Sequence, residues 1–162
     1  MKEELNLKTV HYEDESVVVK KHIKDIEGGR TLGFPTLKPN TKTTDPETSD
    51  VTEVTYSLPD IIHSGHVIIK TSNGVYQPLP FKNTKVTPGE SSSTPASDVT
   101  VYDALPDGAA YVGLLYKYVT KERPSASILT WGIVNPTLLP CAVPAAFLTA
   151  VPHIGYEADE EA

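Results

Sequence analysis

The chain of 162 residues has only one cysteine, Cys141, and only one tryptophan and one methionine. A single cysteine excludes an intramolecular disulfide, so a small secreted scaffold held by disulfides is ruled out. No run approaches the roughly 18 apolar residues that a membrane-spanning helix needs, and residues 1–6 lack the apolar stretch of an export signal. We therefore expect neither export nor a membrane partner.

Clustered positive charge is also lacking. The formal net charge is −7, from 21 acidic and 14 basic residues, and four of the acids lie in the last six positions. Most of the imbalance thus belongs to a tail at 157–162. Nucleic-acid binding needs clustered Lys and Arg to neutralise phosphates, so we expect no nucleic-acid partner.

The sequence contains no nucleophile elbow, zinc-protease motif, phosphate loop or dinucleotide fingerprint. His63 and His66 are three residues apart, but they precede a β-rich run without a Cys or carboxylate at ligand spacing, which favours surface histidines over a zinc site. Cys141 lies in an apolar segment without an adjacent base, which favours a structural thiol. Four carboxylates lie near turn formers, where Asp commonly makes local hydrogen bonds: Glu53, Asp60, Asp103 and Asp107. We predict no enzyme, metal or cofactor.

Turn-forming residues are abundant, with 14 Pro and 10 Gly. Each interior Pro costs a helix about 3 kcal/mol, so long helices are disfavoured. The one predicted helix begins at Pro144 and is stopped by Pro152. Asn73-Gly74 between the β-rich runs 66–71 and 75–79 predicts an antiparallel hairpin. We predict a mostly β fold, a small β-barrel or tulip-like domain with one short helix and an extended N-terminal arm.

Two segments, 110–119 and 127–134, are apolar on both faces. Such strands are buried on both sides by their own chain or covered by a neighbouring subunit. Eight Tyr accompany three Phe, and the amphipathic Tyr suits interfaces, although a barrel wall with its hydroxyls in solvent explains them equally well. We predict a subunit interface at Tyr111, Leu114, Tyr116, Tyr118 and Trp131.

The first 50 residues have a different character. In 28–37 glycines surround a few isolated apolar residues, and 38–50 has no large apolar residue, so this stretch buries too little surface to offset its ordering entropy. We predict an arm and linker at 1–50, a β-rich domain at 51–156 and the acidic tail at 157–162. Small polar residues at 82–98 predict an exposed, mobile loop.

The later part of the chain resembles a known family. The segments that carry the resemblance are HVIIKTSNGVYQPLP (66–80), YDALPDGAAYVGLLYK (102–117), ILTWGIVNPTLLP (128–140) and AFLTAVPHI (146–154). They resemble the capsid auxiliary proteins of tailed bacteriophages, namely the head-decoration (cement) and head-fibre proteins. In that family a hairpin precedes a VGLLY strand and a G-x-V-N strand, which is Gly132 to Asn135 in this sequence.

This resemblance implies a non-enzymatic virion protein, made in the cytoplasm of a bacterial host. It implies a homotrimer on the outer capsid surface that binds the major capsid protein through its N-terminal arm and stabilises the shell. Another auxiliary or fibre protein is a further possible partner. The capsid-binding residues that we predict in the arm are Leu32, Phe34, Pro35 and Leu37.

An alternative from a different class is a carbohydrate-binding or adhesion module displayed on the virion. Such a module needs exposed aromatic side chains, and Trp131 is the one tryptophan available.

Overall fold

The computed structural model describes residues 18–159. Of these residues, 44% lie in strands and 6% in helices. The strands are β1 (Val19–Asp25), β2 (Arg30–Thr31), β3 (Thr41–Thr44), β4 (Val51–Ser57), β5 (Ile61–Ile62), β6 (Val67–Lys70), β7 (Tyr76–Pro78), β8 (Phe81–Thr87), β9 (Ser97–Tyr102), β10 (Ala110–Leu115), β11 (Val119–Thr120), β12 (Ser125–Ala126), β13 (Ile128–Val134) and β14 (Ile154–Tyr156). The helix α1 spans Ala145–Ala150, and a 3-10 turn spans Pro136–Leu138.

Six strands form a central sheet in the order β1-β13-β10-β6-β7, in which β14 also pairs with β13. β10 pairs with the first residues of β13, and β14 runs parallel to the last three. The mostly β class and the single short α-helix are confirmed. The sheets are open, so the predicted barrel closure is wrong.

The central sheet is buried on both faces by the chain itself. The neighbours Leu114 and Leu115 point to opposite sides, and each is fully buried in its own apolar cluster. Phe147 of α1 packs in the cluster of Leu114, whereas Ile62 of β5 and Ala126 of β12 pack in the cluster of Leu115. The doubly apolar strands are therefore covered mainly by their own chain, although Trp131 of β13 is 48% exposed.

The predicted hairpin is present as β6 and β7, which pair antiparallel from Ile68–Pro78 to Lys70–Tyr76. Its loop is wider than a two-residue turn, because the Thr71 N–H donates to the Val75 carbonyl at 2.9 Å. Gly74 alone in this loop has a positive φ, of 81°, as three-residue hairpin loops require at one position.

Residues 18–50 are more structured than an arm or linker. β1 pairs with β13, Leu32 is 4% exposed in the cluster of Leu115, and β3 pairs with β4. The partner strands supply the hydrogen bonds and apolar surface that this segment lacks by itself. Residues 1–17 of the predicted arm and 160–162 of the acidic tail lie outside the described residues.

A second sheet has four antiparallel strands in the order β3-β4-β8-β9, and we call it the projecting sheet. Its strands pack most extensively against one another, and Val99 and Val101 on one of its faces are 53% and 45% exposed. It includes part of the predicted 82–98 loop, because β8 extends to Thr87 and β9 begins at Ser97. The intervening residues are largely exposed.

A bulge in β10 explains how Tyr111 and Leu114 reach the same cluster although they are three positions apart. The register between β10 and β6 shifts between Tyr111 and Gly113, and such a shift places one extra residue in a strand. A Cβ at Gly113 would overlap the carbonyl oxygen of Leu129. Only glycine allows β13 to approach this closely.

We expect Gly113→Ala to lower the free energy of unfolding by about 1–3 kcal/mol, because the backbone of β13 has to move. Denaturant unfolding measures the change. The matched control is Gly155→Ala in β14, where an added Cβ makes only ordinary contacts and the expected change is within about 0.5 kcal/mol. Equal effects of the two substitutions would contradict the packing assigned to Gly113.

Candidate interaction surface

Three aromatic rings join the projecting sheet to the central sheet. His66 precedes β6, Phe81 begins β8 and Tyr102 ends β9. The His66 ring centroid lies 5.0 Å from that of Phe81 and 5.2 Å from that of Tyr102, both in edge-to-face arrangements. The Val67 N–H donates to the Tyr102 hydroxyl at 3.2 Å. The first strand of the hairpin is thereby tied to the last strand of the projecting sheet.

His66 is neutral in this position. Its Nε2 lies 2.7 Å from the Leu79 carbonyl oxygen, which can only accept, so the proton is on Nε2. Nδ1 is buried and has no hydrogen-bond partner among the described residues. Burial lowers the pKa of His66 to about 4.

An ion pair lies beside these rings. Lys38 Nζ is 2.7 Å from Asp103 Oδ2, and the Asp103 side chain is nearly buried. The same ammonium lies 5.3 Å from the centre of the Tyr56 ring in β4. The hydrogen bond with Asp103 raises the pKa of Lys38. The predicted linker therefore crosses the base of the projecting sheet and is held there.

One face of the projecting sheet is apolar, and we call it the Val face. Its large side chains alternate along β4, β8 and β9, and Val99 and Val101 of β9 are 53% and 45% exposed. The register places Val54 beside Thr84 and Thr84 beside Val99. The Val face consists of Val54, Tyr56, Val86, Val99 and Val101, interspersed with Thr. Lys82 is the one charged side chain that β3, β4, β8 and β9 place on it.

The opposite face is polar and carries a row of alternating charges, which we call the charge row. Lys42 pairs in register with Glu53, Glu53 with Lys85, and Lys85 with Asp98. Lys42 Nζ lies 3.0 Å from Glu53 Oε1. Asn83 Nδ2 donates to Asp98 Oδ1 at 2.7 Å. The two faces thus differ sharply in polarity, although both are open to solvent.

Two aspartates shape the far end of the projecting sheet. Asp45 Oδ1 accepts from the backbone N–H groups of Glu47 and Thr48. Asp50 accepts from the Gly89 N–H and the Ser92 hydroxyl, both at 2.8 Å, and these bonds lower its pKa. They connect the β3–β4 turn to the loop that follows β8.

The predicted capsid-binding residues divide by burial. Leu32 lies in the core, which corrects its assignment as an anchor, because a fully packed side chain cannot enter a pocket on another protein. Phe34 and Pro35 are half-buried, and Phe34 packs on the cluster of Leu115. Leu37 is 39% exposed and stays available.

The predicted subunit-interface residues also differ in burial. Leu114 is fully buried in the core, so it cannot form an interface. Tyr111 is half-buried against Phe147 of α1, and Tyr116 stacks on His22 with centroids 4.7 Å apart. Tyr118 is half-buried. These tyrosines pack mainly within the chain.

Trp131 remains open to solvent, at 48% exposure. Its ring centroid lies 5.5 Å from that of His153, with the rings tilted by 38°. Together they form a small exposed aromatic surface on the outer part of β13.

Cys141 and two of the four candidate carboxylates are engaged in contacts with other residues. Cys141 is half-buried, its Sγ lies 3.6 Å from the Thr100 carbonyl, and burial raises its thiol pKa. Of the carboxylates, Glu53 belongs to the charge row and Asp103 pairs with Lys38. Within residues 18–159, no group of three or more His, Cys, Asp or Glu is placed to hold a metal ion. No helix in this range has the length and hydropathy to cross a bilayer.

Comparison with protein-family models, with curated proteins and with solved structures gives no match for this chain.

The Val face was not anticipated from the sequence. Its signal is nevertheless present, since Val54 and Tyr56, like Val99 and Val101, are spaced two apart with polar residues between them. This alternation predicts a one-sided strand, but it does not reveal whether another layer covers that side.

Acid is expected to destabilise the fold through His66. Its pKa is about 4 in the folded chain, against 6.5 for an unperturbed histidine, so protons bind preferentially to the unfolded chain between these values. The stabilisation is complete above about pH 6.5 and is lost as the pH falls towards 4, by about 3 kcal/mol in total. Denaturant unfolding across this range measures it.

His66→Leu should flatten this part of the pH dependence, even though it lowers stability at neutral pH by leaving the Leu79 carbonyl without its donor. His153→Leu, at an exposed site, is the matched control and should keep the slope. A His66→Leu protein with the original slope would show that other groups cause the acid sensitivity.

Proposed function

We propose that this protein is a structural virion protein that assembles as a homotrimer on the outer surface of a phage capsid and stabilises the shell. It acts as a decoration, cement or head-fibre protein. The observation that carries the proposal is the apolar Val face, on which Val99 and Val101 are 53% and 45% exposed. Contiguous exposed apolar surface on a folded domain marks an interaction site, and a sheet normally buries at least one face.

The resemblance of the four segments 66–80, 102–117, 128–140 and 146–154 to capsid auxiliary proteins supports the virion setting. Binding to the assembled shell but not to free capsid subunits stabilises the shell in proportion to RT ln(1 + [L]/Kd), without any chemical step. Such a function requires rigid surfaces rather than a catalytic centre. The hydrogen bonds of Asp50 and the bond from the Val67 N–H to the Tyr102 hydroxyl supply that rigidity to the projecting sheet.

Contact with the major capsid protein is assigned to the segment around Leu37. Leu37 is exposed, and the neighbouring Phe34 is held by packing, with Lys121 Nζ 5.9 Å from its ring centre. An exposed leucine on a fixed segment fits a pocket on a partner at low entropic cost. Leu32 takes no part, because it is buried.

Leu37→Asp should weaken binding to shells of the major capsid protein of the same virus by roughly 10- to 100-fold. The removed burial of one leucine is worth about 1.5–3 kcal/mol, and each 1.4 kcal/mol is about tenfold in affinity. Co-sedimentation of the full chain with empty shells gives the bound fraction. Leu138→Asp is the matched control, since Leu138 is similarly exposed in the 3-10 turn.

Equal binding of Leu37→Asp and the unchanged chain would remove Leu37 from the capsid contact. Failure of the unchanged chain to co-sediment would overturn the capsid proposal itself.

The second candidate function is carbohydrate binding, which the exposed Trp131 and His153 pair favours. An exposed indole offers an apolar face and an N–H donor, both of which a sugar ring can use. Titration with a glycan panel should then change Trp131 fluorescence, and His153→Ala should reduce the change. An unresponsive Trp131 across the panel would overturn this candidate.

A further inference from the structure

We propose that three copies of this chain close their projecting sheets into a triangular prism, with the Val faces inside and the charge rows outside. β9 of each copy then lies beside β3 of the next. This inference deepens the proposed homotrimer and rests on it, and it names the surface that forms the trimer. Self-association is favoured over a charged partner because the strands place only Lys82 among charged residues on the Val face, and the nearby Lys38 is paired with Asp103. Identical copies therefore bring few like charges together.

The dimensions of the projecting sheet fit a prism. Four strands at about 4.8 Å spacing make a face about 19 Å wide. An equilateral triangle with sides of this width has its centre roughly 5.5 Å from each side. Packed sheets lie about 10 Å apart, so the side chains of each sheet fill about 5 Å. Three Val faces therefore meet at the axis without leaving a large cavity.

The free edges favour three copies over two. β3 and β9 are the outer strands of the projecting sheet and run in opposite directions, because every neighbouring pair is antiparallel. Around a threefold axis along the strands, β9 of one copy meets β3 of the next in antiparallel orientation. The prism thereby brings a neighbouring strand to both open edges. Open edges otherwise expose unpaired backbone groups and promote aggregation. A face-to-face pair of sheets would leave them open.

The charge row continues around the prism. Across one sheet its signs are positive at Lys42, negative at Glu53, positive at Lys85 and negative at Asp98. At each corner, Asp98 of one copy then approaches Lys42 of the next, so the alternation closes into a ring. Exposed ion pairs add little affinity. The charge row instead favours one register of neighbouring strands, because a two-residue shift places Asp98 beside uncharged Asn40 or Thr44 rather than beside Lys42.

Lys82 is compatible with this arrangement. It lies in the row of Tyr56 and Val101, next to the row of Phe81 and the aromatic junction. This places it near the base of the prism rather than at mid-height. Its long side chain allows the ammonium to reach water at that end while its methylenes stay among apolar groups.

The first experiment measures the mass of the isolated full chain by light scattering and sedimentation. The unchanged chain of 17.6 kDa should be a trimer. Val99→Asp should require an at least about hundredfold higher concentration for half-association, since it places three carboxylates in an apolar interior. Val75→Asp is the matched control, because Val75 is 45% exposed, against 53% for Val99, but lies in the hairpin loop.

Val99 is already half exposed in one subunit, so Val99→Asp should keep its fold, which circular dichroism verifies. A folded Val99→Asp protein that remains trimeric would overturn the prism. A monomeric or dimeric unchanged chain would overturn it as well. Neither result depends on capsids, so failure here is distinguishable from failure to co-sediment with shells.

The second experiment tests the corner contact. Asp98→Lys and Lys42→Asp should each weaken the trimer severalfold, and the two substitutions together should restore it. Lys42 and Asp98 lie on opposite edges of one sheet, about 14 Å apart at the usual strand spacing, so restoration reports contact between copies. If the double variant loses as much trimer stability as the two single variants together, the predicted contact between Asp98 and Lys42 of the next copy is contradicted.

Discussion

The contact between the start of β6 and the end of β9 holds the central sheet and the projecting sheet together. The Val67 N–H donates to the Tyr102 hydroxyl, and the buried ring of His66 lies edge-on to Tyr102 and Phe81. The burial of His66 carries a desolvation cost, because only the neutral form of its ring is favoured when it is buried. The orientation of the projecting sheet, and with it the direction of the Val face, depends on these few residues.

The central sheet and the projecting sheet are stabilised in different ways. The central sheet has an apolar cluster on each side, with Leu114 in one and Leu115 in the other. The projecting sheet is stabilised by the backbone hydrogen bonds between its strands and by side-chain bonds such as those of Asp50. The aromatic contacts with the central sheet stabilise its base. An open sheet of this kind has surface left for association, which agrees with a role in assembly. The proposed trimer covers the Val face and leaves polar groups outside.

Local patterns predicted the elements that depend on local chemistry. Asn73-Gly74 predicted the hairpin, and Pro144 with Pro152 predicted the position of α1, because turn and helix-end preferences act over a few residues. The burial of Leu32 and the strand β3 were missed for the opposite reason. Their burial and pairing come from strands far along the chain, and their own composition resembles that of a linker.

The sequence by itself determined the β class, the single short helix and the two strands with apolar residues on both faces. These features follow from residue preferences and from the alternation of apolar side chains. Only the tertiary structure decided which apolar surface stays open. Leu114 of β10 is buried and Tyr111 packs against its cluster, whereas Val99 and Val101 face solvent. Alternation specifies that a strand has an apolar side, but what lies opposite that side is fixed by contacts between distant segments.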